Sequence, residues 1–184
     1  MLKASILLAL EEPLMRDFER DPKGAGVARI LSDYARANAD WRDFALFDAA
    51  TYTRNLITRN AWFEMLLLCW NHGQSSPIHN HAGQNCWMAV LDGEIEEQQF
   101  DSPCADPSEC AVRGAPRVFV PGKVAYINDD IALHRVRPRA GQVGVSLHVY
   151  SRPIDVCNVY DESTGSVVQK SLSYHSVRGS RVTA

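Results

Sequence analysis

From about Tyr52 onward the chain is a succession of short runs: Phe63 to Trp70, Cys86 to Leu91, Glu94 to Phe100, Val118 to Val120 and Val143 to Tyr150. Each is bounded by Gly, Pro, Asn or Asp, the pattern of strands separated by turns. This texture constrains the fold more than any other feature, because antiparallel strands must bury one face against a second sheet or close on themselves. Asp92-Gly93 falls between Trp87-Met88-Ala89-Val90-Leu91 and Glu94-Ile95-Glu96. Glycine reaches the positive φ that a type I′ turn demands, so a tight hairpin turn is expected there. The first quarter reads differently. Val27, Ile30, Leu31 and Tyr34 recur at helical spacing, and Asp40 ahead of Trp41 looks like an N-cap. Two or three helices are expected over Leu14 to Phe47, flanking a β-barrel or a double-sheet sandwich.

No repeat, linker or charge block divides the 184 residues, a length suited to one core. The expected organisation is one domain, with residues 1–50 a mostly helical flank, 51–170 the barrel and 171–184 a polar tail that wraps the surface or frays. Hydrophobic residues at 46% and charged ones at 22% exclude disordered and low-complexity classes. A net charge of -3 offers no polycationic surface, so nucleic acid is not an expected partner. The five cysteines, Cys69, Cys86, Cys104, Cys110 and Cys157, are odd in number and contain no C-x-x-C pair. They fit a reducing cytoplasm better than a disulfide framework or a zinc ribbon. Ala4 to Leu10 is too short to cross a bilayer and runs into Glu11 and Glu12, so neither a signal peptide nor a membrane segment is expected.

His79-Asn80-His81 is the sharpest local feature. On an extended backbone residues two apart face the same way, so both imidazoles are able to bind one metal ion. The same spacing is also ordinary for two surface histidines. Gly73 stands six residues before His79 and Gly93 twelve after His81, a spacing that resembles the first motif of the cupin barrels. His134, in Asn128-Asp129-Asp130-Ile131-Ala132-Leu133-His134-Arg135-Val136, stands where the second cupin motif places a further ligand. Where cupins usually carry a glutamate after the second histidine, this chain has Cys86. Three neutral histidines without a carboxylate would leave a divalent ion its full charge and open positions for an anion such as a thiolate. Cys86 is either a ligand for a soft metal or a buried thiol packed as a small hydrophobe.

A wider set of segments then comes together. Tyr52-Thr53-Arg54-Asn55-Leu56, Leu68-Cys69-Trp70, Ser76-Pro77-Ile78-His79-Asn80-His81, Cys86, Ala125-Tyr126-Ile127-Asn128-Asp129, Leu133-His134-Arg135-Val136, Ser146-Leu147-His148-Val149-Tyr150-Ser151 and Tyr174-His175-Ser176 resemble the cysteine dioxygenase family. These are thiol dioxygenases of the cupin superfamily with one non-haem iron. The resemblance covers roughly residues 50 to 178, and so dispersed a set is far more specific than a single motif. It implies a mainly β fold, a cupin double-stranded β-helix (jelly-roll barrel) with N-terminal flanking helices. It also implies Fe(II) on His79, His81 and His134, and a substrate carboxylate held by Arg54 with Tyr52. Ser146, His148 and Tyr150 become a hydrogen-bonded relay, with the Tyr150 hydroxyl near the position of oxygen. In some members a thioether joins that tyrosine to the cysteine matched by Cys86.

The residues agree with parts of this on their own. A guanidinium is the donor best shaped to grip a carboxylate in two places, although an arginine beside a strand is ordinarily just exposed. Ser146, His148 and Tyr150 alternate with Val145, Leu147 and Val149, giving one polar face that is turned either to a site or to water. His72 and His175 read as loop or outer histidines, and Cys104 and Cys110 bracket a loop with Pro103 and Pro107. Cys157 matches a family position without a derivable role. The implied function is oxidation of L-cysteine by O2 to cysteine sulfinic acid in cysteine catabolism, by a cytoplasmic monomer whose partners are these small molecules. The alternatives are another small thiol such as 3-mercaptopropionate, whose dioxygenases tend to carry glutamine in place of Arg54, and a non-catalytic cupin that senses a metal or ligand.

Overall fold

The computed structural model describes residues 5–101, 112–161, 164 and 166–182. The Cys104 and Cys110 loop lies outside the described residues. Three α-helices come first: α1 (Ile6–Ala9), α2 (Glu11–Arg20) and α3 (Val27–Ala37), followed by a 3-10 turn at Asp40–Phe44. Glu11 and Glu12 in the first turn of α2 and Arg20 in its last complement the helix dipole. Asp40 does not cap the turn it begins. Its carboxylate accepts from the Leu7 N–H (2.9 Å), the Ser5 hydroxyl (2.7 Å) and the Tyr34 hydroxyl (2.9 Å). It therefore anchors the start of α1, where otherwise unpaired amides offer more donors than one 3-10 turn does.

The strands are β1 (Thr53–Arg59), β2 (Phe63–Trp70), β3 (Ile78–His79), β4 (Cys86–Asp92), β5 (Ile95–Phe100), β6 (Val112–Phe119) and β7 (Val124–Ile127). Then come β8 (Leu133–Pro138), β9 (Gly144–Ser151), β10 (Val156–Asp161), β11 (Ser166–Ser171), β12 (Ser176–Val177) and β13 (Ser180–Arg181). They form a seven-stranded sheet in the order β13-β12-β1-β2-β9-β4-β7 and a six-stranded sheet in the order β11-β10-β3-β8-β5-β6. The mainly β, two-sheet architecture agrees with the cupin expectation. Beyond Ser171, β12 joins the sheet parallel to β1, with Ser176 opposite Asn55.

Asp92-Gly93 turns tightly, with Gly93 at φ 68°, but it does not close a hairpin. β4 belongs to the seven-stranded sheet and β5 to the six-stranded one, so the turn carries the chain from one sheet to the other. A Cβ on Gly93 would lie 2.2 Å from the Val143 carbonyl oxygen, so glycine is required there by close backbone approach as well as by φ.

Two cores lie on opposite faces of the seven-stranded sheet. Leu7, Leu14, Phe18, Val27 and Leu31 of the helices cover Met65, Leu67, Trp87, Leu147 and Val149 outside. Leu66, Leu68, Val90, Ile95, Ala125 and Val136 pack between the sheets. β2 and β9 are consequently buried on both faces along their whole length. The helical flank is what shields the outer face of β9, leaving its inner face to carry polar groups.

Candidate functional site

The three histidines reach one point from two neighbouring strands and the turn after one of them. His79 ends β3 and pairs directly with His134 on β8. His81 lies just past the strand, where Asp129 takes hydrogen bonds from the backbone N–H of His81 (2.6 Å) and of Gly83 (2.7 Å). Ring centroids are 5.3 Å apart for His79 and His81, 4.6 Å for His79 and His134, and 4.7 Å for His81 and His134. One nitrogen from each ring lies within 4.8 Å of the others, a separation one metal ion could bridge.

The protonation pattern suits a metal. The His79 Nδ1 lies 3.0 Å from the Pro77 carbonyl oxygen and the His134 Nδ1 lies 2.9 Å from Glu97 Oε1. Each Nδ1 thus donates its proton outward, leaving the Nε2 lone pair for an ion. Burial, reinforced by His81, pushes His79 down to about 3. Burial likewise holds His134 well below the ordinary imidazole value, with His79 next in effect. His81 is only 1% exposed and neither of its ring nitrogens has a hydrogen-bond partner. Its Nδ1 has the Asp129 carboxylate 3.5 Å away, and a buried imidazole facing two neutral ones is a donor set for a borderline cation.

Glu97 is the main residue that the sequence reading missed. The expectation of a site without a carboxylate holds for the inner ring of donors, yet this fully buried glutamate stands behind His134 and pairs outward with Arg117 at 3.5 Å. Burial raises its carboxyl, partly opposed by the Arg117 charge. The one available signal was its phase with Ile95 on β5, blurred by polar neighbours on both sides.

Opposite the histidines, Arg54 is 9% exposed, and its Nε and one terminal nitrogen are buried without a hydrogen-bond partner. That terminal nitrogen lies 3.8 Å from Oε2 of the buried Glu64. Tyr52 stacks on Trp70 with ring centroids 4.5 Å apart. Arg54, Tyr52, His79, His81, His134 and Tyr150 line the same pocket, as does Cys157. The other polar wall is β9. Trp70 Nε1 donates to Ser146 Oγ (3.0 Å), Ser146 Oγ lies 2.9 Å from His148 Nε2, and His148 Nδ1 lies 3.4 Å from the Tyr150 hydroxyl. Burial, followed by the Arg54 charge, pushes His148 down to about 3. Burial, then Cys86, pushes the Tyr150 phenol well up. The Cys86 thiol is pushed up by burial too. Cys86 stands directly across from Tyr150 in the β4–β9 pairing, with its sulfur 3.9 Å from His148 Nδ1.

The remaining candidates stay apart. His72 is exposed in the turn after β2, and His175 Nδ1 accepts from the Arg54 backbone N–H. Among the described residues Cys69, Cys86 and Cys157 are free thiols, and no helix is long and apolar enough to cross a membrane.

Comparison with known proteins gives a consistent result. Residues 2–163 match the protein family described as Cysteine dioxygenase type I. The chain is 37% identical over 157 residues to cysteine dioxygenase type 1 of Rattus norvegicus, covering 84% of this chain and 78% of the rat protein. It is 33% identical over 184 residues to that of Danio rerio, covering 98% and 92%. Among solved structures, an uncharacterized Klebsiella pneumoniae protein with a double-stranded beta-helix domain aligns with a TM-score of 0.54 at 12% identity, over 70% of this chain and 93% of that one. At that identity the likeness speaks to the fold alone.

Proposed function

The chain belongs to the cysteine dioxygenase type I family, and from that premise we infer that it oxidises L-cysteine with O2 to cysteine sulfinic acid on one iron(II) ion. The observation that carries this reading is the pairing, across one pocket, of a three-histidine cluster with a buried guanidinium two of whose nitrogens have no hydrogen-bond partner. His79, His81 and His134 would hold the ion. When bound, iron(II) supplies open positions for the substrate thiolate and amine and the electron-transfer steps that let O2 react with sulfur. Three neutral imidazoles leave the ion's charge uncompensated, so a thiolate is favoured over a thiol there.

The protein's own groups then orient and protect. Arg54 grips the substrate carboxylate in two places, with Tyr52 beside it, and fixes the far end of a molecule whose sulfur must stay close to O2. We assign the tautomer in which Ser146 donates to His148 Nε2. His148 Nδ1–H then donates to the Tyr150 oxygen, and the Tyr150 O–H is left to point into the pocket. Burial keeps this hydroxyl protonated, so it acts as a donor near the reacting atoms. Both oxygen atoms end on sulfur, at the sulfinic rung of cysteine oxidation. Cys86 and Tyr150, facing each other across β4 and β9, are placed to form a thioether during turnover. The thiol hydrogen and a ring hydrogen leave, and O2 takes the two electrons.

The buried free thiols among the described residues support a cytoplasmic location. Anaerobic loading with iron(II), followed by oxygen uptake with L-cysteine, tests the reading: one O2 consumed per sulfinate formed is expected. Faster uptake with 3-mercaptopropionate would overturn the substrate, and no uptake with any small thiol would overturn the enzyme activity.

A further inference from the structure

The segment leading into β12 contacts Arg54 from behind. The His175 N–H donates to the Arg54 carbonyl oxygen (2.8 Å) and the Arg54 N–H donates to His175 Nδ1 (3.1 Å). The Ser176 hydroxyl donates to Asn55 Oδ1 at 2.7 Å, which extends the same register. Tyr174 lies beside the side chain, with its ring centroid 6.0 Å from the guanidinium carbon. Its hydroxyl donates to Glu64 Oε1 and accepts from Arg59 at 2.7 Å. Glu64 is wholly buried, and its other oxygen, which has no hydrogen-bond partner, faces Arg54 at 3.8 Å.

A bidentate grip requires the guanidinium plane to be fixed, yet arginine carries about 2 kcal/mol of rotamer entropy that blurs it unless the side chain is held. Here the backbone of Arg54 is clamped by His175, one face is covered by Tyr174, and the charge is drawn toward Glu64. Tyr174 also decides where Glu64 points. Arg59 lies 3.8 Å from the Glu64 oxygen that Tyr174 holds, so without the hydroxyl the carboxylate is free to turn to Arg59 and away from Arg54. We propose that Tyr174 and His175 are positioning residues for the substrate carboxylate, so that this C-terminal segment sets the preference for thiols that carry a carboxylate. The proposal rests on Arg54 as the carboxylate-binding residue and adds the groups that aim it.

The test uses the iron-loaded protein and five readouts: kcat and KM for L-cysteine, iron content, and inhibition of L-cysteine oxidation by 3-mercaptopropionate and by cysteamine. Tyr174→Phe and His175→Ala should each raise KM for L-cysteine and the inhibition constant of 3-mercaptopropionate about tenfold. Iron content, kcat and inhibition by cysteamine, which has no carboxylate, should stay within about twofold. His175→Asn, whose side-chain oxygen can accept the same N–H, should restore the wild-type KM. If Tyr174→Phe folds poorly, the His175→Ala and His175→Asn pair decides. Equal weakening of both inhibitors, a kcat loss at unchanged KM, or no change in either variant would overturn the proposal while leaving the dioxygenase reading in place. A wild-type protein without oxygen uptake would overturn both.

Discussion

Taking the carboxylate off the substrate weighs Arg54 without disturbing the fold. Cysteamine keeps the amine and thiol of L-cysteine and therefore the same approach to the metal, but it leaves the guanidinium facing an empty place. Arg54 is 9% exposed and two of its nitrogens have no hydrogen-bond partner, so water does not readily replace the missing oxygens. Two unmet charge-assisted bonds place the loss at ~2 to 4 kcal/mol of transition-state binding. That corresponds to roughly 30- to 900-fold in kcat/KM. Glu64, 3.8 Å from the guanidinium, already offsets part of the charge and favours the lower half of that range. Arg54→Ala should then lower L-cysteine turnover by a similar factor and bring the two thiols within about tenfold of each other, with iron content unchanged. An oxygen electrode with both thiols, together with metal analysis of each protein, provides the numbers. Wild-type turnover of cysteamine within about threefold of L-cysteine, or an Arg54→Ala protein that keeps its full preference for L-cysteine, would refute the assignment of Arg54.

His134→Ala, and equally His79→Ala or His81→Ala, should lose iron and activity while the circular dichroism stays native, since the strands are held by their cores; full iron content in any of the three would remove that residue from the ligand set. Glu97→Gln should keep the fold but weaken iron binding about 10- to 100-fold, because the outward partner of His134 loses its charge; titration against a competing chelator reads it. Intact-mass and peptide mapping after many turnovers should reveal a Cys86–Tyr150 species lighter by two hydrogens, absent from Cys86→Ala, which should nevertheless turn over; only unlinked peptides would refute the link. Asp40→Asn should destabilise the protein by about 2 kcal/mol in denaturant unfolding at neutral pH. Burial raises the Asp40 carboxyl, but the bonds from Leu7, Ser5 and Tyr34 outweigh it and leave the group below its usual value. Its stabilisation is therefore present above the unfolded pKa of about 3.9 and is lost as pH falls through the lower folded value, so the two proteins should converge in acid.

Much of the site is legible in the sequence because its residues sit at spacings that local geometry converts directly into position. The polar face of Ser146, His148 and Tyr150 follows from the two-residue period of a strand, whereas the same rule leads only as far as His79 at the end of β3 and Asp129 holds His81 in the turn beyond. The apolar face of β9, with Val145, Leu147 and Val149 at the strand period, is equally open to reading, whereas β2 is a nearly continuous apolar run that has no single face to read. Other features depend on which strands become neighbours, and local pattern carries no such information. Asp92-Gly93 has the composition of a hairpin turn but spans two sheets, because β4 finds its partners in β9 and β7 while β5 finds β8 and β6. Glu96 and Glu97 are adjacent glutamates in a polar run, and only the pairing of β5 with β8 turns Glu97 inward to His134 and Glu96 outward to Arg137. Asp40 reads as a local cap, yet it serves a helix more than thirty residues earlier. His175 reads as a loop histidine until the parallel pairing of β12 with β1 brings it onto the backbone of Arg54. A residue's own neighbours in sequence set its backbone conformation and its face, whereas the partner it meets on that face is chosen by contacts between segments far apart in the chain.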